Sequence, residues 1–189
     1  MYATYSDLYR PSQRRPALIY DIALVVAGSI LIALSAQISI NLPFSPVPIT
    51  GQTFAVLFLA ALLGSKRGTA AVLAYLAEGA AGLPVFAGGS GGAHVFVGPT
   101  GGYLIGFVFA AFLVGWLAQR GWDRRILTTI IALVLGNLVI YAIGVTWLGA
   151  MIGYDKAFTA GLWPFIPGDL VKIGLAAALL PTGWKLIKE

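Results

Sequence analysis

The chain has 189 residues, of which 59% are hydrophobic and only 10% charged, with a mean hydropathy of +0.88. So few ionic side chains cannot cover the surface of a soluble domain of this length, which excludes soluble enzymes and disordered chains. Cysteine is absent, which excludes disulfide scaffolds and thiolate metal sites, and the net charge of +5 has to be understood from where the cations stand.

Taken in chain order, the apolar stretches predict an all-α integral membrane protein of six transmembrane helices: residues 18–40, 52–64, 68–83, 101–119, 126–151 and 168–184. Residues 1–17 form a polar, arginine-bearing cytoplasmic segment, and residues 18–189 the six-helix membrane domain. The first apolar stretch is too long for the core of a signal peptide and is read as a retained helix. With six spans, Arg10, Arg14, Arg15, Lys66, Arg67, Arg120, Arg124, Arg125, Lys185 and Lys188 all fall on one side of the bilayer. Lys156 alone lies in an opposite-side loop, and Lys172 lies within a span. The excess of cations on one side places both termini in the cytoplasm. Topology and anionic lipid account for the basic residues, so no nucleic-acid partner is expected.

The connections are of two kinds. Residues 64–68 and 120–125 are short and charged and read as plain hairpin connectors. Residues 41–51, 82–100 and 153–167, all on the external side, are long, rich in glycine and proline and almost free of charge. They carry Phe44, Phe86, Phe96, Phe158, Trp163 and Phe165. Apolar loops of fixed shape on one side of a bundle suggest a pocket open to the outside, although interfacial anchoring of aromatics is the plainer alternative.

Ionisable residues at membrane depth are costly and therefore candidates for function. Asp169 and Lys172 stand three apart at the start of the last span and share a helix face. An acidic residue in a first turn is explained by the helix dipole, but a buried cation there is not. Thr50, Gln52 and Thr53 open the second span with hydrogen-bonding side chains, and Tyr103 lies at a similar level. Asn137 stands in the middle of the fifth span, where bridging two helices is the ordinary reading. Ser90, in a glycine run with His94 nearby, lacks the strand–turn–helix context and the orienting carboxylate of a hydrolase nucleophile. No glycine is followed by lysine, so the chain has no P-loop with which to bind ATP. No metal site or cofactor is expected. Small residues four apart, Ala23 with Ala27 and the series Gly98, Gly102, Gly106, Ala110, mark surfaces where helices approach closely.

Four separated segments, in order, carry a family resemblance: residues 46–53 (PVPITGQT), 82–86 (GLPVF), 98–107 (GPTGGYLIGF) and 167–172 (PGDLVK). Together they resemble the BioY family, the substrate-binding (S) components of energy-coupling factor (ECF) biotin transporters. The resemblance runs from about residue 18 to the C-terminus. It implies a biotin pocket near the external face of a prokaryotic cell-membrane protein, and no enzymatic activity. It also implies partnership with a transmembrane coupling protein and two ABC-type ATPases, met by the Ala23–Ala27 face. The Asp-x-x-Lys pair of the family falls on Asp169 and Lys172. Candidate pocket residues are these two with Gln52, Thr50, Tyr103, Phe86, Gly88 and Trp163. At Gly88 a hydrogen-bonding side chain of relatives is missing. Which of these groups meets the ureido ring and which the carboxylate stays open. Another vitamin, or transport without ATPase partners, is the alternative reading.

Overall fold

A computed structural model of the chain describes residues 2–188; Met1 and Glu189, at the outer ends of the two expected segments, lie outside them. Seven helices follow in order: α1 (Tyr5–Leu8), α2 (Arg14–Gln37), α3 (Gln52–Ala80), α4 (Gly101–Ala118), α5 (Ile126–Ile152), α6 (Tyr154–Gly161) and α7 (Ile166–Lys188). Five of them, α2, α3, α4, α5 and α7, are long and apolar enough to cross a membrane.

The second and third expected spans are joined without an intervening loop. Two helical arms run from Gln52 to Ala80 and meet at a kink, where only Gly64 departs from helical backbone, at φ 80° and ψ 174°. That conformation is open to glycine and essentially closed to residues with a Cβ. The chain reverses there: Gln52 Nε2 bonds the Tyr75 hydroxyl, although 23 residues of straight helix would separate them by roughly 35 Å. A Cβ on Gly68 would likewise lie 2.8 Å from the Cα of Ala60. The stretch is therefore an antiparallel pair of arms, with the anticipated connector 64–68 reduced to one residue.

Beyond α2 the expected loop 41–51 is a small hairpin. β1 (Ser39–Ile40) pairs antiparallel with β2 (Ile49–Thr50) in the register Ser39–Thr50 and Ile40–Ile49. Pro43, Pro46 and Pro48 sit between or beside these strands, where a missing N–H costs no ladder bond. The expected loop 153–167 also holds structure, the eight-residue α6. Its polar face, with Asp155 and Lys156, hid the helix from an apolar-run reading. The α4 stripe packs inside the bundle, as its spacing indicates: a Cβ on Gly106 would lie 3.0 Å from the Cα of Ile140 in α5, and Ala110 is fully buried.

The N-terminal segment, the Gly64 turn, the α4–α5 connection and the end of α7 gather at one end of the bundle. Arg67 bonds Asp7 and Asp21 at 2.8 and 2.7 Å, and Arg10 pairs with Asp21 at 2.8 Å. Arg124 lies over the rings of Tyr2 and Trp184 at 4.6 and 4.3 Å. Ser6 Oγ donates to the Leu63 carbonyl at 3.3 Å, satisfying backbone that the Gly64 turn leaves without a helical partner. The β-hairpin, the 81–100 connection and α6 gather at the other end, where the cavity lies.

Candidate functional site

A cavity of about 240 Å³ opens among α3, α4, α5, α7 and the connections above them. Its wall is mostly apolar: Val47, Pro48, Phe86, Val95, Leu104, Phe107, Ile140 and Phe165, with the rings of Tyr103 and Tyr141. The polar side chains that reach it are Thr50, Gln52, Thr53, Ser90, Thr100 and Lys172. An apolar space with a few convergent polar groups is the ordinary form of a small-molecule site.

Each wall segment is held from behind. Phe86, 2% exposed, stands edge-on between Tyr75 and Phe96, with ring centroids 5.4 and 5.7 Å away. Gln37 Nε2 donates to the Phe86 carbonyl at 3.3 Å, and the Gly92 amide bonds the Gly79 carbonyl at 2.7 Å, tying the glycine-rich connection to α2 and α3. Tyr103 OH donates to the Gly161 carbonyl at 2.8 Å, and Ser45 Oγ donates to the Ala160 carbonyl at 2.7 Å. These two bonds fasten α6 to α4 and to the proline loop. Gln52 is engaged at both ends of its amide, by the Tyr75 hydroxyl and by Thr50 Oγ1 at 2.9 Å.

The charged pair is set by α7. Pro167 in the first turn gives up no needed N–H, and the Asp169 amide bonds the Phe165 carbonyl at 2.9 Å, continuing the helix inward. Lys172 Nζ lies 3.1 Å from Asp169 Oδ1 and donates to Thr53 Oγ1 at 2.7 Å. Asp169 is 5% exposed and also accepts from the Tyr141 hydroxyl. Its Oδ1 lies 3.4 Å from Thr53 Oγ1. α3, α5 and α7 thus converge on one carboxylate. Lys172 lines the cavity, and Asp169 stands behind it as its counter-ion and anchor.

Of the residues anticipated from sequence, the structure brings Thr50, Gln52, Phe86, Tyr103 and Lys172 to the cavity wall, with Asp169 directly behind. Trp163 points away and is 63% exposed, because the chain turns Leu162 and Phe165 inward on either side of it. Gly88 is not on the wall; its φ of +66° serves the turn, and its neighbour Ala87 takes the lining position. Ser90 lines the cavity, but its hydroxyl donates to the Ala87 carbonyl at 2.9 Å. Ala23 and Ala27 lie exposed on α2, beside the buried Gly28. Thr53, Tyr141, Phe107 and Phe165 were not singled out as site residues. For Tyr141 the available signal was its place one helical turn beyond Asn137 on the same face.

Fold and site define a class: a multi-pass helical membrane protein with a ligand-sized cavity and a part-buried ion pair at one end of its bundle. Within that class the chain belongs to the BioY family, whose model matches residues 9–189. It is 41% identical over 161 residues to the biotin transporter BioY of Rhizobium etli, covering 80% of this chain and 86% of that one. It is 45% identical to the biotin transporter BioY of Thermotoga maritima, covering 82% and 92%, and 43% identical to a probable biotin transporter BioY of Pyrococcus horikoshii, covering 84% and 93%. Among solved structures it resembles the S-component for biotin from an ECF-type ABC transporter, with a TM-score of 0.79 and 30% identity over 94% of this chain and 96% of that one.

Proposed function

We propose that this chain is the biotin-binding S component of an ECF-type uptake transporter and that the 240 Å³ cavity is its biotin site. The observation that carries the reading is Lys172 as the one charged group on a mostly apolar wall, held by Thr53 and by Asp169, which Tyr141 holds in turn. Biotin combines two ureido N–H donors and a carbonyl acceptor with an apolar thioether ring and an anionic tail. An ammonium donates to the acceptor or to the anion, the hydroxyls and Gln52 offer further partners, and Phe86, Phe107 and Phe165 suit the apolar middle.

In this reading each arm of α3 counts as a crossing, which makes six, and the basic end of the bundle faces the cytoplasm. Residues 1–17 then lie on the cytoplasmic side, and residues 18–189 form the membrane domain. The cavity faces outward and captures external biotin. The chain is no enzyme: inward delivery uses a transmembrane coupling protein and two ABC-type ATPases, met through the exposed Ala23–Ala27 face of α2. The deciding experiment is calorimetric titration of the purified protein with biotin, with thiamine and riboflavin as competitors. Saturable biotin binding that neither competitor displaces is expected. Displacement by another vitamin assigns the cavity to that vitamin.

A further inference from the structure

Directly beneath the large cavity lies a second, much smaller one of about 10 Å³, between α3, α5 and α7. Thr53 and Lys172 line both spaces, and Asn137 lines the small one. Asn137 is 7% exposed; its Nδ2 donates to the Leu133 carbonyl at 3.3 Å, while its buried Oδ1 has no partner among the described residues. A buried amide oxygen without a hydrogen bond is costly, so a residue kept in that condition in mid-span calls for a partner. Lys172 offers one. Its ammonium has three protons, and its protein partners are Thr53 and Asp169, which leaves one N–H over.

The three helices are in register at this point. Thr53, Tyr141 and Asp169 form the upper layer, and Leu57, Asn137 and Ile173 lie one turn deeper, the two layers being joined by Lys172. A space of this size holds one water and no larger group, and a buried water needs two or more polar neighbours. A free cation is disfavoured by the ammonium beside it.

We propose that the small cavity binds a single water molecule that accepts a hydrogen bond from Lys172 and donates one to Asn137 Oδ1, which makes Asn137 a positioning residue for the ammonium on the wall of the large cavity. Asn137 touches no ligand itself. Through the water it holds the third Lys172 N–H on the small-cavity side, so the ammonium stands in a fixed position. A ligand meets it through the N–H that Thr53 Oγ1 also accepts. The part of the proposal that concerns ligand affinity rests on the biotin reading above; the water site does not.

Two experiments test it. In a high-resolution crystal structure of the ligand-free protein, a density peak is expected within hydrogen-bond distance of both Asn137 Oδ1 and Lys172 Nζ. A continuous apolar contact there, with both side chains ordered, overturns the site. In calorimetry, Asn137→Leu, which removes the acceptor at similar volume, is expected to weaken biotin binding about tenfold, as for loss of one hydrogen bond to a charged group. Asn137→Asp restores the acceptor and is expected to return affinity to within about threefold of the parent. A purely structural role predicts the reverse order, since a carboxylate is the worse guest in an apolar seam; that order, or an unweakened Asn137→Leu, overturns the positioning role. Should Asn137→Leu fail to fold, Asn137→Ala takes its place with the same expected loss. If the parent does not bind biotin at all, the functional reading falls while the crystallographic result still decides the water.

Discussion

At the basic end of the bundle Arg67 reaches Asp7 and Asp21, Arg10 reaches Asp21, and Arg124 lies against two aromatic rings; at the cavity end Lys172 has Asp169 and little else of its kind. The first group is redundant and partly wet. Side-chain exposures there run from 15% to 43%, and Asp21 and Arg67 each have two charged partners, so the loss of one pair leaves another. The second is a single pair with exposures of 20% and 7%, whose members have no substitute. Charge is thus dense and shared at one end, sparse and unshared at the other. The two buried carboxylates sharpen the contrast. Asp169 is met by an ammonium and a tyrosine hydroxyl, whereas Asp123, 2% exposed, accepts one bond from Trp184 Nε1 at 2.5 Å and keeps Oδ1 unpartnered among the described residues.

The comparison is most directly broken at Asp169. Asp169→Ala leaves the Lys172 ammonium uncompensated and is expected to cost roughly 3–5 kcal/mol in biotin affinity or in stability. Titration calorimetry and detergent melting curves read the two losses separately, and Asp169→Asn, which keeps the shape, falls between variant and parent. Parent-like affinity in Asp169→Ala removes the pair from the site.

Next in size is Gly64→Ala. A Cβ there would lie 3.0 Å from Gln119 Nε2 and 3.3 Å from Thr4 Cγ2, on a backbone that only glycine adopts freely. The loss expected is about 1–3 kcal/mol of stability, read as a lowered melting temperature.

A smaller effect, with a characteristic pH dependence, belongs to Asp123. Burial pushes its carboxyl above the usual carboxylate range, against the opposing bond from Trp184. An acid whose folded pKa is raised binds its proton more tightly when folded, so stability falls as pH rises from the ordinary value of 3.8 to the raised one. Asp123→Asn lacks that slope, so its melting temperature gains on the parent through this window and then runs parallel. Asp7 works the other way. Against desolvation, which pushes it up, the Thr4 amide and Arg67 hold its carboxyl below the usual range, and the stability it contributes disappears only as pH falls through that lowered value. The Asp123→Asn difference isolates one from the other.

The smallest expectation is at Arg10, which is open to solvent and shares Asp21 with Arg67. Arg10→Ala leaves the melting temperature unchanged within replicate scatter; a clear drop shows that the basic end is less redundant than its geometry implies.

How much of this was legible follows from where side chains announce themselves. Asp169 and Lys172 stand out because charge is scarce in the spans, and family membership was legible in the four proline- and glycine-bearing segments. Tyr141 did not stand out, since a tyrosine in the outer part of an apolar helix reads as an interfacial anchor. Thr53 was visible as one of a polar group, but its place between Asp169 and Lys172 depends on the α3–α7 contact, which no local pattern encodes. Trp163 was drawn in by its aromatic character, whereas a one-residue change of direction decides which of Leu162, Trp163 and Phe165 face inward. The Gly64 reversal was anticipated as a break between two short spans, yet the helical hydrogen bonding continues on both sides of a single residue.

The tip of the Phe86 ring, Cζ with Cε1 and Cε2, reaches the bare backbone of Gly79, in the very space a Cβ there would occupy. The width of the cavity is thus set from its far side, by an atom that α3 lacks. An engineer wishing to narrow the site for a slimmer guest need not touch its lining: Gly79→Ala, a change outside the wall, would push the ring forward.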